Sequence, residues 1–247
     1  MLVPAAMVGQ AIGQAAFAFL SRMRAEAAGA GPTRQLDATQ ELSTTLKNVV
    51  RATAALAMLT AAGVWATADA SVRFAFLRGA YEVSDAERTT ELLKVLAWAV
   101  PGWSLYTVGA KALQAAERTW LSAGLGLGTL VPSWFVYQQL AGSGTIGLAW
   151  ATVICVSTAS LLSVGFLRGT YGLSLLPSAF IGLLEGSLLG AVGAGAAYLV
   201  AFVSPEPALI RLTIQGAAFV IAAGGLLTAL PGPAGDLVRR RLRRLKR

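Results

Sequence analysis

Seven long apolar stretches fill almost the whole of this 247-residue chain, and nothing else in it constrains the fold as strongly. A predominantly apolar run of about 18 residues or more is long enough to cross the roughly 30 Å hydrocarbon core of a bilayer as a helix. The spans are predicted at 2–20, 49–68, 92–115, 121–140, 146–167, 179–203 and 208–230. Charged residues make up 13% of the chain and its mean hydropathy is +0.64, whereas soluble domains carry about 25% charged residues. Membrane β-barrels show alternating segments of about ten residues, not unbroken apolar runs. The expected fold class is an all-α membrane protein, a polytopic bundle of about seven transmembrane helices.

The basic residues set an orientation. Arg22, Arg24, Arg34, Lys47, Arg51, Lys111, Arg118, Arg168 and the C-terminal cluster fall on one side, and Arg73, Arg78, Arg88, Lys94 and Arg211 on the other. The richer side is assigned to the cytoplasm, which puts the N-terminus outside and the C-terminus inside. An odd number of spans entering from outside leads us to expect a preceding portion. The net charge of +8 does not signal nucleic acid, because seven cations crowd the last nine residues: Arg239, Arg240, Arg241, Arg243, Arg244, Lys246 and Arg247. Val238, Leu242 and Leu245 would share one face there, so 236–247 reads as a basic cytoplasmic tail anchored on anionic headgroups.

Histidine is absent from the sequence, which removes the commonest general base and metal ligand together. No Walker-type loop is present. Gly124, Gly126 and Gly128 lie at the start of a span without strand–turn–helix context and are assigned to helix packing. No catalytic residue, metal site or cofactor is expected. Cys155 reads as a small packing residue within its span.

Polar groups within spans are costly and often mark a pathway. Glu185 stands several residues into the sixth span and must be neutral, paired across helices or facing a wet cavity. Lys111, Gln10 and Gln14 are the other substrate-pathway candidates, with headgroup snorkelling and interhelical hydrogen bonding as their structural alternatives. Gly182, Gly186, Gly190 and Ala194 recur every four residues, a stripe that lets another backbone approach. Gly216, Gly224 and Gly225 in the last span suggest that the last two helices pair. Pro101 and Pro132 fall inside spans and can kink them.

The segment 71–89, SVRFAFLRGAYEVSDAERT, resembles the extracytoplasmic loop signature of the MurJ/MviN family, the bacterial lipid II flippases. Phe76, Arg78, Gly79, Ala80, Tyr81, Ser84 and Asp85 occupy the places of that pattern. Ser84 is expected to cap the next helix, with Glu87 completing a capping box. Ser21 and Arg22 match the exit of the family's eighth helix, Gly147-Leu148-Ala149 resembles the start of its twelfth, and the seven spans match helices eight to fourteen. After the third span the chain reads LQAAERTW, a shorter connection than the family's and without its proline.

The resemblance implies second-lobe helices over 1–170 and a lipid groove formed by the last two helices over 171–235. It implies a part of a flippase that moves lipid II from the inner to the outer leaflet of the bacterial inner membrane by alternating access, and not an enzyme. The implied partners are membrane lipid, the undecaprenyl-linked substrate and an N-terminal lobe. Two other readings stand beside it: another polyprenyl-linked oligosaccharide or cation-coupled drug exporter of the same superfamily, or a non-transporting structural half or decayed fragment that needs a separate first lobe.

Overall fold

The computed structural model describes residues 32–76, 82–202 and 208–229, together with 14, 17–19, 21–23 and 25, which are helical. The helices are α1 (Pro32–Phe76), α2 (Val83–Ala97), α3 (Ala99–Ala115), α4 (Thr119–Ala141), α5 (Gly144–Tyr171), α6 (Leu176–Ala201) and α7 (Ala208–Ala229). Stretches within α1, α5, α6 and α7 are long and apolar enough to cross a membrane: Gln40–Phe76, Gly144–Tyr171, Leu176–Ala201 and Ala208–Leu227. At 45 residues, α1 is about 67 Å long at 1.5 Å per residue, so it outruns the bilayer by more than twofold.

The packing is that of a protein built in lipid. Large apolar side chains point outward, among them Leu130, Trp134, Phe135, Leu161, Leu188, Leu199, Val220 and Ile221, while Ala54, Ala57, Ala61, Ala68 and Ala197 fill the interior. Small residues inside allow backbones to approach where no hydrophobic driving force separates helix from solvent. The largest interfaces are α1 with α6, α3 with α5, and α6 with α7. One cluster gathers Leu46 and Val50 of α1, Leu105, Val108 and Leu113 of α3, Leu167 of α5 and Leu175 before α6. These positions share one end of the bundle, where Lys47, Arg51, Lys111, Arg118 and Arg168 also lie, and it is called the basic end below. There the Tyr171 hydroxyl donates to the Ala112 carbonyl at 2.9 Å, tying the end of α5 to α3. Hydroxyls such as those of Thr60, Thr107 and Thr158 donate to the carbonyl four residues back at 2.8 Å, so they need no partner from the lipid.

The third predicted span is two helices, not one. Trp98 is a turn between α2 and α3, three residues before Pro101. Proline lacks an N–H and its ring displaces the carbonyl four residues earlier, here that of Ala97, so the helix breaks just upstream of Pro101. Pro132 lies inside α4 without ending it. The capping box at Ser84 does not form. Helix α2 starts at Val83, its cap is Glu82 with no side-chain cap bond, and the Ala86 N–H reaches the Glu82 carbonyl at 3.1 Å. Among the described residues the packing assigned to Gly124 and Gly128 is not found, since a Cβ at either would meet nothing within 4 Å, and at Gly126 it would meet only the Tyr106 hydroxyl at 3.6 Å.

The short connection after α3 is a tight helix-ending turn. The Arg118 N–H reaches the Leu113 carbonyl at 3.0 Å and the Glu117 N–H the Gln114 carbonyl at 2.9 Å, which satisfies carbonyls that α3 leaves open. Glu117 closes the turn at φ 60, a left-handed conformation that Gly172 supplies without strain, at φ 67, after α5. Left-handed backbone costs a residue with a Cβ about 1–2 kcal/mol, partly offset by the chain entropy that glycine loses. Glu117→Gly should therefore stabilise the protein by about 0.5–1 kcal/mol. A raised Tm for the variant in detergent is the expected result, and an unchanged or lowered Tm would contradict the strain.

Candidate functional site

Glu185 meets Arg51. The Arg51 Nε donates to Glu185 Oε2 at 2.9 Å and a terminal nitrogen donates to Oε1, so the guanidinium grips the carboxylate with two parallel bonds. The side chains are 28% and 30% exposed. Of the three environments open to Glu185, pairing across helices is the one found. Such a fork is stronger than a single neutral hydrogen bond and fixes direction as well as distance.

The glycine stripe is what brings the two charges together. A Cβ at Gly182 would run into the Arg51 carbonyl oxygen, and one at Gly186 into the Ala55 carbonyl oxygen and Met58. At Gly190 the obstacle would be the Ala62 methyl group. Three of the four stripe residues thus seat α6 on the backbone of α1, while Ala194 faces a crevice described below. Glu185 lies between the first two glycines and Arg51 lies beneath Gly182, so close approach and ion pair are one arrangement.

The last two helices also pair, by other residues than those expected. Gly193 and Ala197 of α6 receive Phe219 and Ala223 of α7, whereas a Cβ at Gly216, Gly224 or Gly225 would meet nothing within 4 Å. Phe219 also covers Gly63 of α1. The helices α6 and α7 are therefore built onto α1 rather than standing apart from it.

Lys111 sits near the basic end, donates to Gln114 Oε1 at 3.1 Å and places its ammonium 5.6 Å from the Phe17 ring centroid. It thereby joins α3 to the first predicted span. Gln14 is helical and exposed, and Gln10 lies outside the described residues. Within the loop signature, Phe76 ends α1 and Asp85 lies in the first turn of α2; Arg78, Gly79, Ala80 and Tyr81 lie outside the described residues, as does the basic tail from Arg239 to Arg247. None of Lys111, Gln14 and Glu185 lines a cavity described among these residues. Among the described residues no cluster of acids or cysteines suits a metal ion.

Sequence reasoning missed Arg51 as a partner, because it was counted as a charge at the edge of a span. The signal was available: a lone carboxylate beside a small-residue stripe needs a cation on the facing helix, and Arg51 opens the Arg51–Ala54–Ala55–Met58 face. It also missed Asp69, which Arg73 of the same helix reaches at 2.8 Å and Arg211 of α7 at 3.7 Å. Eighteen residues from Arg51 to Asp69 correspond to about 27 Å of helix, so ion pairs hold both ends of the membrane-crossing part of α1. A cavity of about 310 Å³ between α3, α4 and α5 is lined by Cys155 and by Tyr137, whose hydroxyl is 2.8 Å from that of Thr152.

Removing one partner of a buried pair costs about 3–5 kcal/mol, and the partial exposure of both groups lowers this to about 1–3 kcal/mol. Glu185→Gln and Arg51→Gln should each lose that much, and the double variant should lose clearly less than the sum. Denaturation of the four proteins in detergent gives the coupling energy, and strict additivity would contradict the pairing.

No curated protein sequence matches the chain. Its structure is similar to a solved structure titled "Lipid II flippase MurJ, inward closed conformation", with a TM-score of 0.64 and 17% sequence identity. The similarity covers 96% of this chain and 45% of that one, so the chain spans less than half the length of the solved flippase. At this identity the likeness establishes the fold, a helical membrane protein. The family model for the lipid II flippase MurJ matches residues 1–184. That is well over half of the 247 residues, and the chain belongs to the MurJ lipid II flippase family.

Proposed function

We propose that these helices form the second lobe and the last two helices of a flippase that carries lipid II from the inner to the outer leaflet of the bacterial inner membrane. The family match over residues 1–184 carries this reading. The fold supports it, since the similarity to the solved flippase extends over 96% of the chain. The lobe works with a first lobe, on the same chain or on another, and rocks against it to expose the substrate alternately to the two sides. It performs transport and no bond-making chemistry.

Within this reading the Arg51–Glu185 pair serves as a clamp. It neutralises two charges that would otherwise be costly in a membrane-spanning interface and holds α6 on α1 while the lobe moves. The last two helices, so held, present an apolar surface suited to a polyprenyl tail. Lys111 is assigned to the basic end, where it joins α3 to the first span. That end faces the cytoplasm, and the connections around Gly142 and Glu82 face outward.

Two experiments test this. In cells depleted of their own lipid II flippase, the full-length protein should restore growth and the exposure of lipid II at the outer surface; stable insertion without rescue, accompanied by drug efflux, would favour the drug-exporter reading. For orientation, Ser143→Cys should react with a membrane-impermeant maleimide in intact cells and Ser174→Cys should not. The opposite pattern would invert the topology.

A further inference from the structure

A crevice of about 330 Å³ opens between α1, the break between α2 and α3, and α6. Met58, Trp65, Trp98, Gly190 and Ala194 are among its walls. Two local features make it. Gly190 and Ala194 leave space where the stripe on α6 passes the end of α2, and the break upstream of Pro101 carries Trp98 to the opposite wall. The interior is apolar, and its Ser187 hydroxyl is already spent on the Leu183 carbonyl at 2.7 Å.

One end of the crevice is cationic. The Lys94 ammonium stands 5.4 Å from the Trp65 ring centroid, and Lys94 shares a face of α2 with Ala97 and Trp98 of the crevice wall. Among the described residues no carboxylate lies within ion-pair distance of Lys94, and Glu91, a turn away, is exposed. One turn beyond Trp65, about 6 Å along α1, Asp69 is taken by Arg73 at 2.8 Å. Arg211 reaches that carboxylate only at 3.7 Å, and its Nε is buried without a hydrogen-bond partner. Among the described residues Arg211 makes no other hydrogen bond or ion pair, and an arginine has five donors. Trp65 and Trp98 are 44% and 46% exposed, and tryptophan belongs at the level of the headgroups.

We propose that this crevice binds one anionic membrane phospholipid, an acyl chain lying along Met58 and Gly190 and the phosphate resting between Lys94 and Arg211. The apolar slot, the indole rims and the two under-used cations follow the order of parts in such a lipid. At about 330 Å³ the space is near the low end for small-ligand pockets, about 300–1,000 Å³. It suits part of one acyl chain. The occupant is assigned to the lipid of the surrounding leaflet, and the inference does not depend on the flippase reading.

The test uses full-length protein that keeps Trp65 and Trp98, with Trp103, Trp120, Trp134 and Trp150 changed to phenylalanine. It is reconstituted in phosphatidylcholine vesicles containing an equal fraction of either brominated phosphatidylglycerol or brominated phosphatidylcholine. Bromine quenches a touching indole. The brominated anionic lipid should quench about fivefold more effectively for each cation engaged. Lys94→Gln and Arg211→Gln should each reduce that preference, Lys94→Arg should keep it, and Ala191→Phe, which fills the slot, should lower quenching by both lipids. Equal quenching by the two lipids would overturn the proposal. So would a preference unaffected by Lys94→Gln, or one lost equally in Lys94→Gln and Lys94→Arg.

Discussion

The contact between α1 and α6 is the constraint on which the rest of the structure depends. In lipid, helices gain little from hiding apolar surface from one another, so association rests on close packing and on polar groups that find each other. Gly182 and Gly186 supply the first by letting α6 rest on the carbonyls of Arg51 and Ala55. Arg51 and Glu185 supply the second, at the depth where the two backbones touch. Neither would serve alone. Without the glycines the guanidinium could not grip the carboxylate at both oxygens, and without the pair the interface would hold two uncompensated charges.

From that contact the other interfaces follow in order. Helix α6, fixed on α1, offers Gly193 and Ala197 to Phe219 and Ala223 of α7, and α7 in turn brings Arg211 to Asp69 at the far end of α1. The same α1 presents Leu46 and Val50 to α3 and α5 at the basic end. A single long helix thus joins α3 and α5 to α6 and α7. On the proposed reading, α6 and α7 would therefore move together with α1.

Much of this could be read from the sequence, because apolar length and small-residue spacing are strong signals in a membrane. The spans at 121–140, 146–167, 179–203 and 208–230 correspond to α4, α5, α6 and α7 with ends shifted by a few residues. The stripe on α6 was legible as a contact surface, and the loop around Arg78 pointed to the family. Other features were illegible for physical reasons. A proline inside an apolar run gives the same hydropathy whether the helix bends or breaks, so the turn at Trp98 was hidden. Glycine marks close packing in Gly186 but not in Gly124 or Gly216, since the residue does not say whether a neighbour stands opposite. Glu185 demanded a partner, yet its partner lies 134 positions away, and only the fold brings the two together.

The most direct measurement reverses the pair in the full-length protein and scores growth of flippase-depleted cells. Arg51→Glu and Glu185→Arg should each abolish rescue, because each places like charges at the glycine contact. The account predicts that the two reversals combined restore rescue, since a clamp needs opposite charges and not a particular polarity. Loss of rescue by the combined variant, with the protein stably inserted, would contradict it and make these side chains contacts for the transported molecule.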